Sequence, residues 1–498
     1  MPPGPRCHTL GMFCNTHTHA PRIAPAQPRS LPTKAAQAEF SQNPQDKVVL
    51  EPGTYTVTGL KSGDVGPAVD KARLNEALEP SGEGQFIYQQ GTPGFHAANA
   101  FSAVARTIQF FEEGTGMSIS WAFKKPQLDV NPDAGEMLNA YYQRGEGSVN
   151  FFHSTDPKTT QVVHSGDSGE VVSHEVGHAI LDGFRPAYLM NWRTDAGAFH
   201  ESFGDMLALV MSVQDDRVLA KVVEQTGGDM SKPNMAAALG EELGITINNT
   251  SGKNRTGGDY TRNAINSFKW ADPKSLESQP EDPNQLGSEV HNYSRLWTGA
   301  FYDVFSGLVD ENRAAGMEPA QAIREASNEG LRMLGRLVKA APRFDFTYKD
   351  MAKAFVASDR DNGGKHVDLI TQVYKNREIL PADFSAATLP PSQSFSRSLT
   401  DEAAAVQKDL VPLVGDFGNF SGAMVEVPRD ADTARFANDD SDVRADIKHL
   451  IDAGRILYTE PHQRLSDKDL IDKNGNPYIG VLRWKDGQPV IERNVVVA

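Results

Sequence analysis

The sequence predicts an α+β protein in two lobes, the first mixing helices with a sheet and the second mostly helical. Three observations predict it. Strand-like runs at Ser118–Phe123 and Ser148–His153 fall before residue 195, beside one long apolar helix. Amphipathic segments follow one another between Tyr293 and Leu380. At the junction stand two further helical patterns, Val171–Leu181 and Phe199–Val210, in which apolar residues recur at three- and four-residue steps.

The expected organisation is a disordered tail over 1–46, a first lobe over 47–195, a helical lobe over 196–380, a Pro/Ser/Thr-rich linker over 381–401 and an extension over 402–498. The tail is rich in Pro, Ser, Ala, Thr and His without apolar periodicity, and it lacks the apolar run of a secretory signal. Location is therefore left open. Its Cys7, His8, Cys14, His17 and His19 are irregularly spaced and have no core around them. Val48–Leu60 reads as a strand pair broken by Pro52-Gly53. Phe95–Glu113 is apolar over most of a helix surface, with Gly114 closing it. In the second lobe, Leu296–Val309, Pro319–Val338, Tyr348–Ala357 and His366–Tyr374 read as helices, with a capped turn at Asp359–Lys365. Gly480–Trp484, Pro489–Ile491 and Val495–Val497 read as strands.

Composition excludes several classes. The 498 residues carry a net charge of −16 and no extended basic patch, which argues against nucleic acid as a partner. No run of eighteen or more apolar residues exists to span a membrane. The two cysteines both lie in the tail, so no disulfide framework supports the body. A monomer is expected.

Chemistry concentrates in the junction helices. His174, Glu175 and His178 read H-E-V-G-H. Helical positions i and i+4 share a face with Cβ atoms about 6 Å apart, so both imidazoles present to one point. Neutral imidazole suits zinc, and a catalytic zinc takes three protein ligands and keeps one position for water. Glu175 points beside such a metal, where a general base belongs. On the second helix Glu201 and Asp205 are four apart; one is placed to be the third ligand and the other to orient a ligand imidazole.

This pattern resembles the thermolysin-like zinc endopeptidases, in which H-E-x-x-H is followed by a distant Glu. Ser168-Gly169-Glu170-Val171-Val172-Ser173 is similar to that family's lead-in, and Gly197-Ala198…Glu201…Asp205 to its second signature. The resemblance covers about Phe95–Leu380. It implies a two-lobed catalytic domain with one zinc ion on His174, His178 and Glu201, Glu175 as base and Asp205 as the orienter of His174. It implies an edge strand at Leu138–Tyr142, with Asn139 and Ala140 pairing with a peptide substrate, and Arg262 near the substrate carbonyl. His291 and Tyr188 are implied as oxyanion donors.

The sequence departs from the family at several points. Leu286 stands where an Asp would orient His291, leaving Asp282 or Glu289 as substitutes. Ser212 stands where a calcium ligand would fall; Glu170 keeps one possible ligand, and the double calcium site is not expected. The residues before Gly91 are too few for the family's pro-region, which puts self-processing in question. Two alternatives fit the same residues: a zinc-bearing binding module or single-target effector, and an aminopeptidase of the same group.

Overall fold

The computed structural model describes residues 37–390, 406–430, 440–472, 477–494 and 496–497. The tail cysteines and histidines, most of the 381–401 linker and the Asn474-Gly475-Asn476 turn lie outside them. Among the described residues the fold is α+β, with ten α-helices and five sheets.

Residues 37–46, expected to belong to the disordered tail, are part of the folded body, which corrects the expected boundary. Strand β1 (Gln37–Gln42) pairs antiparallel with β2 (Gly53–Thr58). The segment after β1 is tied to the body through buried polar groups: Asn43 N–H donates to Asn99 Oδ1 at 2.5 Å, and Glu242 N–H donates to Asp46 at 3.0 Å. In β1 only Ala38 and Phe40 face the core, and the segment after it is buried through side-chain hydrogen bonds, so apolar periodicity carries little signal here. Val48–Leu50 is a turn, so the expected strand pair is β1–β2 and not two halves of 48–60.

Short strands β3 (Lys61–Ser62), β4 (Pro67–Ala68), β5 (Ala72–Leu74) and β6 (Gln85–Phe86) precede helix α1 (Pro93–Thr115). Thr92 caps α1 by accepting from Phe95 N–H, and the helix ends in left-handed Gly116, two residues beyond the glycine expected to stop it. The expected strand at 118–123 is irregular; the strand is β7 (Leu128–Asn131). Then come β8 (Ala140–Gln143), β9 (Ser148–Phe151), β10 (His153–Thr155) and β11 (Val162–His164). Helices α2 (Gly169–Phe184) and α3 (Thr194–Ser212) carry the two motifs.

Beyond α3 lie α4 (Asp216–Thr226), β12 (Ala238–Leu239), α5 (Glu241–Ser251) and β13 (Arg262–Asn263). The helical lobe continues with α6 (Val290–Ala314), α7 (Pro319–Ala340), α8 (Tyr348–Arg360) and α9 (Val367–Asn376). The turn between α8 and α9 is capped as expected, with Asp359 accepting from His366 N–H at 2.8 Å. One apolar core runs without a break from Ala38 to Leu380, so residue 195 marks a change of composition and not a division of the core.

The extension forms β14 (Val406–Pro412), β15 (Met424–Asp430), α10 (Asp440–Asp452), β16 (Ile456–Leu457), β17 (Gly480–Lys485) and β18 (Gln488–Arg493). Asp486 and Gly487, both at positive φ, make the hairpin turn that Asp-Gly favours. The five strands build a sheet over a second core that includes Trp192, whose indole N–H donates to the Glu426 carbonyl at 2.7 Å. The extension is thus fastened to the body beside α3.

The large sheet runs β19-β8-β9-β7-β5-β4-β3, where β19 is Val496–Val497. β8 therefore has neighbours on both sides: Val497 is paired with Tyr142 and Val496 with Gln143. The expected open edge at 138–142 is in part covered by the chain's own strand, which is too short and lacks the turn signals to advertise its partner.

Candidate metal centre

Helix α2 starts at Ser168, whose hydroxyl accepts from Val171 N–H, and crosses α3 at two glycines. A Cβ on Gly177 would stand 2.9 Å from the Gly204 Cα, and a Cβ on Gly204 2.6 Å from Nδ1 of His174. The two backbones can approach only because both positions lack side chains. That crossing sets the imidazoles of α2 against the carboxylates of α3.

His174, Glu175 and His178 are buried, and their ligand atoms lie within 4.8 Å of one another, so this group could hold a metal ion. Glu201, 1% exposed, enters from α3. Its carboxylate oxygens lie 3.3 Å from His174 Nε2, 3.6 Å from His178 Nε2 and 3.5 Å from His291 Nε2. Neither oxygen has a hydrogen-bond partner, and the same holds for Glu175 Oε2 and His178 Nε2. Both Glu201 oxygens and His178 Nε2 thus face each other without hydrogen bonds, with a further unpaired buried oxygen on Glu175, a costly arrangement for an apoprotein.

The surrounding shell fixes the rings. Asp205 Oδ1 lies 3.0 Å from His174 Nδ1. Asp205 also receives the Arg262 guanidinium at 2.8 to 3.0 Å and the Thr298 hydroxyl at 3.1 Å. Burial works against its charge, yet Arg262 and His174 hold the Asp205 carboxyl well below the usual range. Burial lowers His174, but Asp205 and Glu201 outweigh it and carry it up to about 9. Burial and the neighbouring imidazoles push His178 well below the ordinary value. Desolvation pushes Glu175 up to about 8.

His291 sits in the first turn of α6. Glu289 caps that helix, accepting from the N–H groups of His291 at 3.0 Å and Asn292 at 3.2 Å, and its Oε1 lies 2.7 Å from His291 Nδ1. Of the two substitutes for the missing Asp, Glu289 is the one in place; Asp282 accepts from Asn284 instead. Burial lowers His291, while Glu201 and Glu289 raise it to about 9.

Four expected site residues have partners other than those the resemblance implies. Tyr188 is fully buried, its ring against Phe199 and Phe346 and its hydroxyl donated to the Pro342 carbonyl, so it is a core residue and not a donor to this group. The short helical turn after α2 aims it inward, which offset along the chain does not reveal. Arg262 does reach the site: its Nε and Nη2 donate to Asp205, and Nη2 also lies 3.3 and 3.4 Å from the Nδ1 and Nε2 of His174. Asn139 accepts from the N–H of Ala140 at 2.9 Å, and Ala140 itself is buried in β8.

Residues that sequence reasoning missed complete the shell. His200 Nδ1 lies 2.9 Å from His178 Nδ1, and Thr298 supports Asp205. His200 stands beside Glu201 in the chain, but nothing in a spacing says that it faces His178. At the position read as a reduced calcium site, Ser212 donates to the Leu209 carbonyl, and buried Glu170 accepts from Gly240 N–H at 3.4 Å.

Comparison with known proteins returned no matching family model and no matching curated protein. No described helix is long and apolar enough to cross a membrane.

Proposed function

We propose that this protein is a zinc-dependent peptidase, an endopeptidase acting on extended peptides, as the resemblance to the thermolysin-like enzymes implies. One observation carries the proposal: the Glu201 carboxylate, buried and accepting no hydrogen bond, is faced by the Nε2 atoms of His174, His178 and His291. A divalent cation held by His174, His178 and Glu201 would satisfy the unpaired atoms of His178 and Glu201, with His291 beside it. Two imidazoles and one carboxylate form the donor set of a catalytic zinc with an open position.

When bound, zinc acidifies water and polarises a carbonyl oxygen. The chain's residues supply the rest. Glu175, with an unpaired oxygen beside the imidazoles, takes the proton from the attacking water and passes it to the leaving amine. His291, held by Glu289, presents an N–H to the oxyanion that develops on the scissile carbonyl. Asp205, held by Arg262 and Thr298, keeps His174 in the tautomer whose Nε2 faces the site.

The test is a quenched-peptide library assayed with and without a chelator, on the wild type and on Glu175→Gln. Hydrolysis that the chelator abolishes, and that falls at least ~10²-fold in the variant while metal content is kept, supports the proposal. Metal binding without cleavage of any peptide sinks it and favours a binding module. Blocked peptides separate an endopeptidase from an aminopeptidase.

A further inference from the structure

We infer that Asp133, His153 and His164 form a second site for a transition-metal ion of the zinc class, separate from the centre on α2 and α3. The ligand atoms of these three residues lie within 4.8 Å of one another. His153 and His164 are directly opposite in the antiparallel β10–β11 pair, so both side chains leave the same face of the ribbon. Their ring centroids are 5.5 Å apart. Asp133, from the loop after β7, brings Oδ1 to 2.7 Å from His153 Nδ1.

The site is braced from behind. The His96 ring of α1 stacks on His164 with centroids 3.7 Å apart, and His96 Nδ1 is 2.6 Å from buried Asp167 Oδ1. His164 is thereby fixed in orientation, yet its Nδ1 is buried without a hydrogen-bond partner. A buried nitrogen with nothing to bond costs free energy, and one ring nitrogen of this same imidazole is among the three ligand atoms that lie together. Asp133 is exposed and His153 half-buried, which leaves a path to solvent and room for water on the metal.

The donor set selects the ion. Two imidazoles and one carboxylate suit Zn2+, Co2+, Ni2+ or Cu2+, whereas calcium and magnesium prefer all-oxygen cages. Such an ion ties together three separate segments: the loop holding Asp133, strand β10 and strand β11. His164 runs through Ser165–Asp167 into the Ser168 cap of α2, so the clip secures the chain where the H-E-V-G-H helix begins. The inference does not depend on peptidase activity.

Zinc titration of the full chain, followed by native mass spectrometry after dialysis against a weak chelator, decides the matter. Wild type is expected to retain two zinc ions, His164→Ala one, His178→Ala one, and the double variant none. Asp133→Asn, an exposed change that leaves the hairpin intact, should weaken the second zinc at least tenfold. In the His178→Ala background added zinc should still raise the melting temperature, and that rise should vanish when His164 is also replaced. One zinc in wild type that His164→Ala leaves in place overturns the inference, as do two zinc ions unaffected by both His164→Ala and Asp133→Asn. A single zinc lost with His164 but kept without His178 upholds this site and instead overturns the α2 centre.

Discussion

His178 Nδ1 and His200 Nδ1 stand 2.9 Å apart with both rings fully buried. Burial pushes both imidazoles well below their ordinary pKa, so both are neutral and one must donate to the other. We assign the donor as His178, because that tautomer leaves a lone pair on its Nε2, toward Glu201. His200→Phe keeps a ring of similar volume and removes the acceptor. Metal affinity should fall about 10- to 100-fold, the usual cost of losing a ligand's hydrogen-bond partner, as read by competition with a chromogenic chelator. Unchanged affinity would mean that the tautomer is set elsewhere.

Gly204 offers a steric test of the helix crossing. In a helix, Ala is favoured over Gly by up to about 1 kcal/mol, so propensity alone makes Gly204→Ala stabilising. Its Cβ would fall 2.6 Å from His174 Nδ1. We expect the variant to lose at least tenfold in metal affinity while remaining folded by circular dichroism. A variant that binds metal as tightly as wild type would show that the ring can move aside freely.

The Arg262–Asp205 pair is two-thirds of a clamp that ends on His174. Arg262→Met keeps the length of the side chain and deletes its charge, leaving a carboxylate that is 1% exposed with only Thr298 and His174. Breaking a buried pair from one side costs about 3 kcal/mol. Urea unfolding should show a lower midpoint, and a shift below about 1 kcal/mol would place the burden on Thr298 instead.

Stability should fall as pH rises through neutrality. Burial, reinforced by Asp46, pushes Glu241 up to about 8, and burial with Glu241 also raises Glu170 well above its ordinary value. These folded-state values exceed the unfolded one near 4.5, so between about pH 4.5 and 8 the folded chain holds protons that the unfolded chain releases. The stabilisation is complete below that window and is lost across it. Glu241→Gln, neutral at every pH, should flatten the slope of melting temperature against pH and exceed wild type above pH 8. Parallel curves for the two proteins would refute the assignment.

Much of this could be read from residues in order. Periodicity placed α2, α3, α6, α7 and α8 within about two turns of where they stand, because their apolar residues recur at helical spacing along the chain. The Asp486-Gly487 turn was legible for a different reason: only certain residues accept positive φ. The failures share a cause. The strand expected at 118–123 formed at 128–131, and the order of 37–46 comes from the pairing of β1 with β2, from Phe40 packing on Phe86 and Phe101 and from the bonds of Asn43 and Asp46, since short segments take their structure from distant partners.

The sequence by itself determined that His174, Glu175 and His178 share a helix face and that Glu201 and Asp205 share another, because 3.6 residues per turn is a local property. Only the tertiary structure decided that those faces meet across Gly177 and Gly204. It alone set Glu289 behind His291, turned Tyr188 into the core, laid Val496–Val497 along β8 and brought Asp133, His153 and His164 together. Each of these depends on how far two backbones approach through space, and no spacing along a single chain encodes that distance.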